Sequence, residues 1–290
     1  MQTKARIEME MRSAIDRSFT YDLMQKLAHT YVDEKKTESF YFGNLCVFHY
    51  EMFDGDTEGE IYKAAAALEL MILSSDILDD IQDQDSPSKP WMTTPQPLAL
   101  NAAYGLLMLG QKLLQECQME PVRLQLAVDY VNQQILVSLN GQMQDVANDV
   151  NSIEDYMEMV RAKSSSLIAM ACTLGVILAT GKRNETVEQY ALHIGLMAQL
   201  ANDLNDYTLA SEKSDQSRDL LTLPKLYNLS ETLADDPAER YRQYEENGTF
   251  IYMQVMIRTH YYNCMESFDT LPQATEWRER FMHFVDGISA

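Results

Sequence analysis

The stretch Asp79-Asp80-Ile-Gln-Asp83 decides how this chain is interpreted, because a similar stretch, Asn202-Asp203-Leu-Asn-Asp206, occurs in its second half. Both place oxygen ligands at positions i, i+1 and i+4, so the first and last side chains project from one face of a helix. Like charges one turn apart repel each other, and such clusters persist mainly where a cation or water offsets the repulsion. Either motif taken singly is as well explained by a solvated face of an acidic protein. The matched pair predicts two helix faces that look at each other and hold Mg²⁺.

Apolar residues around both motifs recur at three- and four-residue steps, which is typical of amphipathic helices. These residues are Leu68, Met71, Ile72 and Leu78 near the first motif and Ile194, Met197 and Leu204 near the second. No alternating strand pattern is convincing, so we predict an all-α fold. Proline is concentrated in residues 87–97, directly after the first motif. This concentration predicts a loop at the mouth of the site that the motif serves.

The length and composition are typical of a cytoplasmic enzyme with one domain. The 290 residues are 46% hydrophobic, which is enough to bury a large core, and no linker rich in proline or glycine divides them. We therefore predict a single domain over residues 1–290. The amino-terminal residues are charged and lack the apolar segment of a signal peptide.

The net charge of −21 argues against a nucleic-acid partner and against binding to anionic lipid. An anionic substrate would need metal ions to approach such a protein. Residues 164–181 carry no charge and reach the lower length limit of a membrane span. Because this segment is rich in serine, threonine and glycine, we predict a buried helix and no membrane span.

The four cysteines lie far apart in the sequence and form no C-x-x-C pair. This spacing argues against a disulfide framework and against a zinc site. We predict that all four are buried free thiols.

Two further polar motifs lie between the acidic ones, Gly141-Gln142-x-x-Asp145 and Lys163-Ser164. Singly, a glutamine is usually a surface residue, and a lysine at the head of an apolar helix usually extends to solvent. In order along the chain, however, the motifs resemble those of the trans-isoprenyl diphosphate synthase family. The resemblance covers Glu69-Leu70 with the first acidic motif, the two polar motifs, Gln199 with the second acidic motif, and Thr222-Leu223-Pro224.

The resemblance implies a bundle of helices around a deep apolar cavity, in which the acidic motifs bind three Mg²⁺ that hold the diphosphate of an allylic substrate. It implies that Asp79 and Asp83 hold two ions and that Asp203 holds the third. The remaining implied metal ligands are Asp80, Asn202 and Asp206. It also implies that the diphosphate lies near Lys163, Gln199 and Gln142, with Lys163 counted among the catalytic residues.

The chemistry needs these residue types. When the allylic C–O bond breaks, it leaves a carbocation and a diphosphate of high negative charge, which hard cations with oxygen ligands neutralise. The isoprenoid tail needs an apolar wall, to which flexible methionines are suited, although a helical core rich in methionine is often only a core. The methionines in question are Met71, Met108, Met143, Met170 and Met197.

The length of the tail depends on the residues that precede the first motif. Ser75 lies one turn before Asp79 and Met71 two turns before it, so both are predicted to line the wall. In the family, an aromatic residue near these positions stops the tail early. The small Ser74 and Ser75 would admit a farnesyl group past this level, although Met71 or a residue from another helix could still form the floor.

The departures from the family concern the second substrate. Chain-elongating synthases follow the first motif with Arg-Arg-Gly, which helps to hold the homoallylic diphosphate, whereas this chain has Ser88-Lys89-Pro90. Lys89 is the remaining candidate for that contact, but one lysine cannot reproduce the donors of two guanidinium groups. The second motif begins with Asn202 instead of aspartate, and the lysine before Thr-Leu-Pro is missing, with Arg218 as a candidate replacement.

The allylic half of the pattern is thus kept, and the isopentenyl half is eroded. This asymmetry resembles the ComQ-type isoprenyl transferases, which attach a geranyl or farnesyl group to a tryptophan of a quorum-sensing pheromone precursor peptide. The resemblance implies attack by indole C3 and a homodimer. The five histidines are scattered away from the motifs, so the base is unassigned, and the released diphosphate is a candidate for it.

Three alternatives stay open. A short-chain prenyl diphosphate synthase would consume isopentenyl diphosphate. A class I terpene cyclase also begins its second motif with Asn-Asp, but it needs a hydroxyl and a glutamate where this chain has Asp206 and Ala210. A non-catalytic partner subunit would explain the lost arginines but not the retained Asp79, Asp203 and Lys163.

Overall fold

The computed structural model of the protein describes residues 2–55, 59–84, 86–208 and 222–289, apart from the side chains of residues 206–208, 237, 288 and 289. These ranges form α-helices and one π-helical turn, and they contain no strand, so the predicted all-α fold is confirmed. The helices are α1 Gln2–Ser18, α2 Asp22–Thr37, α3 Tyr41–Met52, α4 Ile61–Asp83, α5 Pro90–Thr93, α6 Gln96–Gln115, α7 Pro121–Val146, α8 Ile153–Val160, the π-helical turn Arg161–Ser165, α9 Ser166–Thr180, α10 Glu185–Thr208, α11 Leu223–Tyr227, α12 Pro237–Glu246, α13 Thr249–Asp269 and α14 Ala274–Ser289.

One compact unit comprises Met1–Gln133 and Met170–Asn184. Its central helix is α4, which is buried on almost every side over its first four turns. Gly110 of α6 lets that helix approach α4 closely, because a Cβ at Gly110 would lie 2.6 Å from Ala67 O and 2.6 Å from Met71 Cγ. The Ser74 hydroxyl also donates to Ala103 O of α6 at 2.8 Å. This close packing fixes the helix that carries the first acidic motif.

The second compact unit comprises Gln134–Ala169 and Glu185–Ala290. Its helix α10 packs along α13 and against the π-helical turn. Three buried aromatic rings join α10 to α13 and α14. Tyr190 lies 5.7 Å from Phe268 and 5.1 Å from Phe281 between ring centroids, and the two phenylalanine rings stack at 3.9 Å. These contacts anchor the helix that carries the second acidic motif.

The segment after the first motif is more regular than its prolines predict. Residues 87–97 contain the one-turn helix α5 and the first turn of α6, so the prediction of a loop is wrong for these parts. Pro90 and Pro97 lie in the first turns of the two helices. Proline is accepted there because the first amides of a helix have no intrahelical partner to lose.

The uncharged segment lies within a continuous helix, Ile153–Thr180, that is long and apolar enough to cross a membrane. Of its most apolar 18-residue window, 72% is buried inside the structure, as expected for the core helix that we predicted. Lys163 lies in the middle of this helix, in the π-helical turn, and not at its head as predicted. The four cysteines are free and buried, which confirms that prediction.

Candidate active site

The first acidic motif occupies the last turns of α4, which ends at Asp83 because Gln84 takes a left-handed conformation with φ of 51°. Asp79 and Asp83 are one turn apart on the same face, as the spacing predicts, and both side chains are half-buried. The Asp79 Oδ1 atom is itself buried. Two carboxylates on one face of a rigid helix end suit Mg²⁺, which commonly takes one or two carboxylates in addition to phosphate oxygens.

Asp80 is held by an indole. Trp91 Nε1 of α5 donates to Asp80 Oδ2 at 2.6 Å, and the buried Trp91 ring packs edge-on against Tyr31 of α2 at 5.6 Å between centroids. Burial raises the pKa of Asp80 to about 6, although hydrogen bonds from Trp91 and Ser86 oppose the rise. Asp80 thus ties α5 to the motif. Its predicted role as a metal ligand stays a prediction.

Two lysines near the first motif are bound by carboxylates. Lys89 Nζ lies 3.0 Å from Glu34 of α2 and 3.0 Å from Glu38, the residue that follows α2. Lys35 Nζ lies 2.8 Å from Glu38 and 2.8 Å from Asp76, and its side chain is only 4% exposed. Although burial opposes it, the pKa of Lys35 is raised by Asp76 and other neighbouring carboxylates. Lys89, the predicted contact for a diphosphate, is therefore already paired with protein carboxylates.

The predicted wall of the tail is partly closed. Met71 is 1% exposed and packs on Gly110. Ser75, one turn later, is partly exposed, and its hydroxyl donates to Met71 O at 3.2 Å. Met170 and Met197 are also buried in the described structure, whereas Met108 and Met143 are 66% and 69% exposed. Of the two residues predicted to line the wall on α4, Ser75 is thus the one with open surface.

The second acidic motif is held by neutral hydrogen-bond donors. Gln199 Nε2 donates to Asp203 Oδ1 at 2.9 Å, and the Ser164 hydroxyl donates to Gln199 Oε1 at 3.1 Å. The hydroxyl of Tyr156 on α8 donates to the other oxygen, Asp203 Oδ2. The structure thus brings the predicted Ser164, Gln199 and Asp203 into one chain of hydrogen bonds. Sequence reasoning missed Tyr156, seven residues before Lys163.

The rest of the second motif is more open. Asn202 is exposed, and the side chain of Asp206 lies outside the described residues, as do Asp85, Ala210 and Arg218. In the part of the chain that the structure describes, no three His, Cys, Asp or Glu side chains are grouped to hold a metal ion. Mg²⁺ does not require such a group, because it is usually bound by one or two carboxylates together with substrate phosphates and water. The carboxylates of both motifs therefore fit it.

Lys163 lies in the π-helical turn, and its Nζ atom is 2.6 Å from Asp145 Oδ2 of α7. Its side chain is 20% exposed, so the ammonium is close to the surface of the unit. A π-helical turn disrupts the regular hydrogen bonds of a helix and is frequent at functional sites. Here the Ser138 hydroxyl donates to Lys163 O at 2.7 Å, and the Ser166 hydroxyl donates to Ala162 O at 2.5 Å. The turn is thus stabilised in place.

Two glycines allow neighbouring helices to contact this turn directly. A Cβ at Gly141 of α7 would overlap the backbone nitrogen of Lys163, and a Cβ at Gly195 of α10 would overlap the Cα atom of Ser165. The glycine of the Gly141-Gln142-x-x-Asp145 motif is therefore needed for close packing. Gln142 follows it, with its Oε1 atom buried.

The chain has clear relatives among known proteins. A model of the polyprenyl synthetase family matches residues 43–247. The tryptophan prenyltransferase ComQ of Bacillus subtilis subsp. natto (strain BEST195) is 32% identical over 280 residues, and the match covers 92% of this chain and 87% of that protein. The tryptophan prenyltransferase ComQ of Bacillus subtilis (strain 168) is 33% identical over 218 residues, covering 75% of this chain and 70% of that protein.

The solved structures agree on the fold. Polyprenyl synthetase from Streptomyces coelicolor A3(2) superposes with a TM-score of 0.81 at 21% identity, covering 99% of this chain and 97% of that chain. At this identity the likeness shows the fold alone, and the assignment within the family depends on the sequence relatives. The chain belongs to the polyprenyl synthetase family, on the branch that contains the ComQ tryptophan prenyltransferases.

Proposed function

We propose that this prenyltransferase uses Mg²⁺ to transfer a geranyl or farnesyl group from its diphosphate to a tryptophan of a precursor peptide in the cytoplasm. The observation that carries the proposal is the 32% identity, over nearly the whole chain, to a protein named for tryptophan prenylation. The proposed product is a matured pheromone for quorum sensing. The retained acidic motifs and Lys163 support catalysis and argue against a silent partner subunit.

Three metal ions would be held in all. Asp79 and Asp83 of α4 would hold two of them, and Asp203 of α10 would hold the third. When bound, Mg²⁺ neutralises the diphosphate as negative charge develops on it. Gln199 and Tyr156 fix the orientation of the Asp203 carboxylate through their hydrogen bonds. The ammonium of Lys163, which is held by Asp145, would donate to an oxygen of the departing diphosphate.

Transfer to the indole needs no charged side chain beyond those that hold the diphosphate. Indole C3 forms a bond to C1 of the prenyl group while the C1–O bond breaks and its electron pair leaves with the diphosphate. A backbone nitrogen of the peptide then closes a ring on indole C2, and the proton that it loses passes to the released diphosphate. The described histidines do not offer an evident base, since His193 pairs with His260 at 2.9 Å between their Nδ1 atoms.

Mass spectrometry tests this proposal directly. The purified protein is incubated with Mg²⁺ and geranyl or farnesyl diphosphate, and it is offered either isopentenyl diphosphate or a tryptophan peptide encoded by a neighbouring reading frame. A peptide that gains one prenyl unit supports the proposal and gives the donor length. A lengthened diphosphate would identify a short-chain synthase instead, and a cyclised donor would identify a terpene cyclase.

Donor length can be tested at Ser75. Phenylalanine at this partly exposed position would fill the space into which a tail descends, so Ser75→Phe should lower the preference for the C15 donor relative to the C10 donor by about tenfold. The measurement is the ratio of kcat/KM for the two donors. Ser74→Ala, at a buried serine that contacts α6, is the matched control and should leave the ratio unchanged. An unchanged ratio in Ser75→Phe would remove Ser75 from the tail wall.

We also propose that the protein is a homodimer. Helix α7 exposes apolar side chains along one stripe, with Leu136 at 62%, Leu139 at 52% and Met143 at 69% exposure. Exposed apolar stripes of this kind commonly mark protein contacts. Light scattering should therefore give twice the chain mass of 33.2 kDa.

A further inference from the structure

The ion pairs beside the first acidic motif form one continuous cluster, here called the α2–α4 cluster. It consists of Glu34 and Lys35 on α2, Glu38 directly after α2, Asp76 on α4 and Lys89 just before α5. The cluster adjoins the motif, because Asp76 lies one turn before Asp79, on the same helix. Lys89 also lies 5.5 Å from the centre of the Trp91 ring that holds Asp80.

The carboxylates of the cluster outnumber its cations. Two lysines face three carboxylates in ion pairs of 2.8 to 3.0 Å. A fourth carboxyl, Glu69, is fully buried behind them; its Oε1 accepts from Gly43 N at 2.5 Å and its Oε2 has no hydrogen-bond partner among the described residues. Burial raises the pKa of Glu69 to about 7, although Lys35 opposes the rise. The cluster is therefore neutral to negative and offers an incoming anion no unpaired cation.

Of the two lysines of the cluster, Lys89 is the one that solvent can reach, because 24% of its side chain is exposed against 4% for Lys35. Although burial opposes it, the hydrogen bonds to Glu34 and Glu38 raise the pKa of Lys89, so its ammonium stays charged. An anion that approached Lys89 would meet the repulsion of Glu34 and Glu38, which already accept from its ammonium, together with that of Asp76.

We propose that Glu34 and Glu38 are specificity-determining residues, which neutralise Lys89 and thereby exclude a second diphosphate from the space beside the first acidic motif. The proposal deepens the proposed function and rests on it, because it explains why the acceptor is an uncharged indole and not isopentenyl diphosphate. Exclusion of the wrong substrate by unfavourable charge is a general route to specificity.

The test measures the binding of isopentenyl diphosphate without metal. EDTA removes divalent ions, so the acidic motifs repel the diphosphate. Any binding that remains then reports on the cationic site at Lys89. Titration calorimetry compares the wild type with Glu34→Gln and with Glu34→Gln/Glu38→Gln. The single variant keeps the pair between Glu38 and the buried Lys35, which protects the test if the double variant folds poorly.

A matched control changes the net charge equally at another place. Glu8 and Asp33 pair with Arg12, and Glu8 also pairs with Lys36, at the outer face of α1 and α2. The variant Glu8→Gln/Asp33→Asn therefore frees Arg12 and Lys36, whose ion pairs do not involve the α2–α4 cluster. Thermal unfolding of every variant verifies that it is folded.

We expect no saturable binding by the wild type or the control. The double variant should bind at least about tenfold more tightly than the weakest binding that the titration can detect, with the single variant in between. Addition of Lys89→Ala to the double variant should abolish the gain. Binding by the wild type as tight as that of the double variant would overturn the proposal, as would variants that bind no better than the control. Because neither donor nor peptide is present, this result is independent of whether the peptide is prenylated.

Discussion

The two acidic motifs are similar in sequence but are supported in different ways. The first lies next to a cluster of ion pairs and is tied to α5 by the indole of Trp91. The second is supported by neutral donors, Gln199 and Tyr156, on a helix that packs against the π-helical turn of Lys163. Under the proposed function, the first motif would lie beside charges that exclude a second diphosphate, whereas the neutral donors around the second motif would orient a ligand of the metal that holds the departing one.

The largest expected effect is at the proposed metal ligands. Asp79→Asn would replace a charged ligand by a neutral one without a change of volume, so transfer should fall by at least about a hundredfold while the fold persists. Asp203→Asn should do the same in the second motif. Initial rates of peptide prenylation and binding of Mn²⁺ by electron paramagnetic resonance give the two readouts.

Asp80→Asn is the control for these variants. Asparagine keeps an oxygen that can accept from Trp91 Nε1, so we expect a loss of less than about tenfold. If Asp80→Asn lowered the transfer rate as much as Asp79→Asn, Asp80 would be a metal ligand. The two acidic motifs would then be supported more similarly than we infer.

The next effect concerns the packing of the π-helical turn. Gly141→Ala places a methyl group against the Lys163 backbone, which should destabilise the protein by ~1–3 kcal/mol and displace Lys163 from Asp145. Denaturant unfolding and the rate of transfer should both report the change. Gly287→Ala, where a Cβ would meet no atom within 4 Å, should instead be neutral or slightly stabilising. Equal behaviour of the two variants would mean that the turn is not fixed by close packing.

A smaller effect is expected from Tyr156→Phe, which removes the hydroxyl that donates to Asp203. Residues that orient a metal ligand typically change metal affinity by 10–100-fold. We expect about a tenfold rise in the Mg²⁺ concentration for half-maximal rate, with a similar shift in Mn²⁺ binding. Tyr104→Phe, at a tyrosine that is 60% exposed, serves as the control. An unchanged Mg²⁺ requirement in Tyr156→Phe would show that Asp203 needs no such support.

The smallest effect concerns pH and belongs to the second unit. Burial, with help from His193 and Arg161, lowers the pKa of His260 from 6.5 to about 4. Between these values the unfolded chain binds a proton that the folded protein does not, so stability should fall as the pH decreases from about 6.5 to 4. His260→Gln should make this decrease shallower in urea unfolding, whereas the exposed His283→Gln should not. Identical slopes in the wild type and His260→Gln would contradict the prediction.

The sequence predicts what depends on local periodicity. The apolar steps around Asp79 and Asp203 predict the helices α4 and α10, and the i, i+4 spacing places Asp79 and Asp83 on one face. The spacing of the cysteines likewise predicts buried free thiols, and the composition of residues 164–181 predicts a buried helix.

The remaining features depend on contacts between residues far apart in sequence. Nothing local to Tyr156 or Trp91 shows that they hold Asp203 and Asp80, and the pairing of Lys89 with Glu34 joins segments 55 residues apart. The π-helical turn is also hidden, because the pattern of residues 153–180 is that of an ordinary helix. The glycines at positions 141 and 195 are its sequence signals, and they are understood only when the neighbouring backbone is known.

The buried thiols allow the local opening of each part of the protein to be timed. Burial raises the pKa of Cys117 and of Cys264 to about 12, so neither reacts with a disulfide reagent until the chain around it opens. Cys46, Cys117 and Cys172 belong to the first unit and Cys264 to the second. Peptide-resolved labelling rates therefore time the opening of each unit separately. One common rate would identify a single cooperative domain over residues 1–290, and a distinct rate for Cys264 would identify two units that open independently.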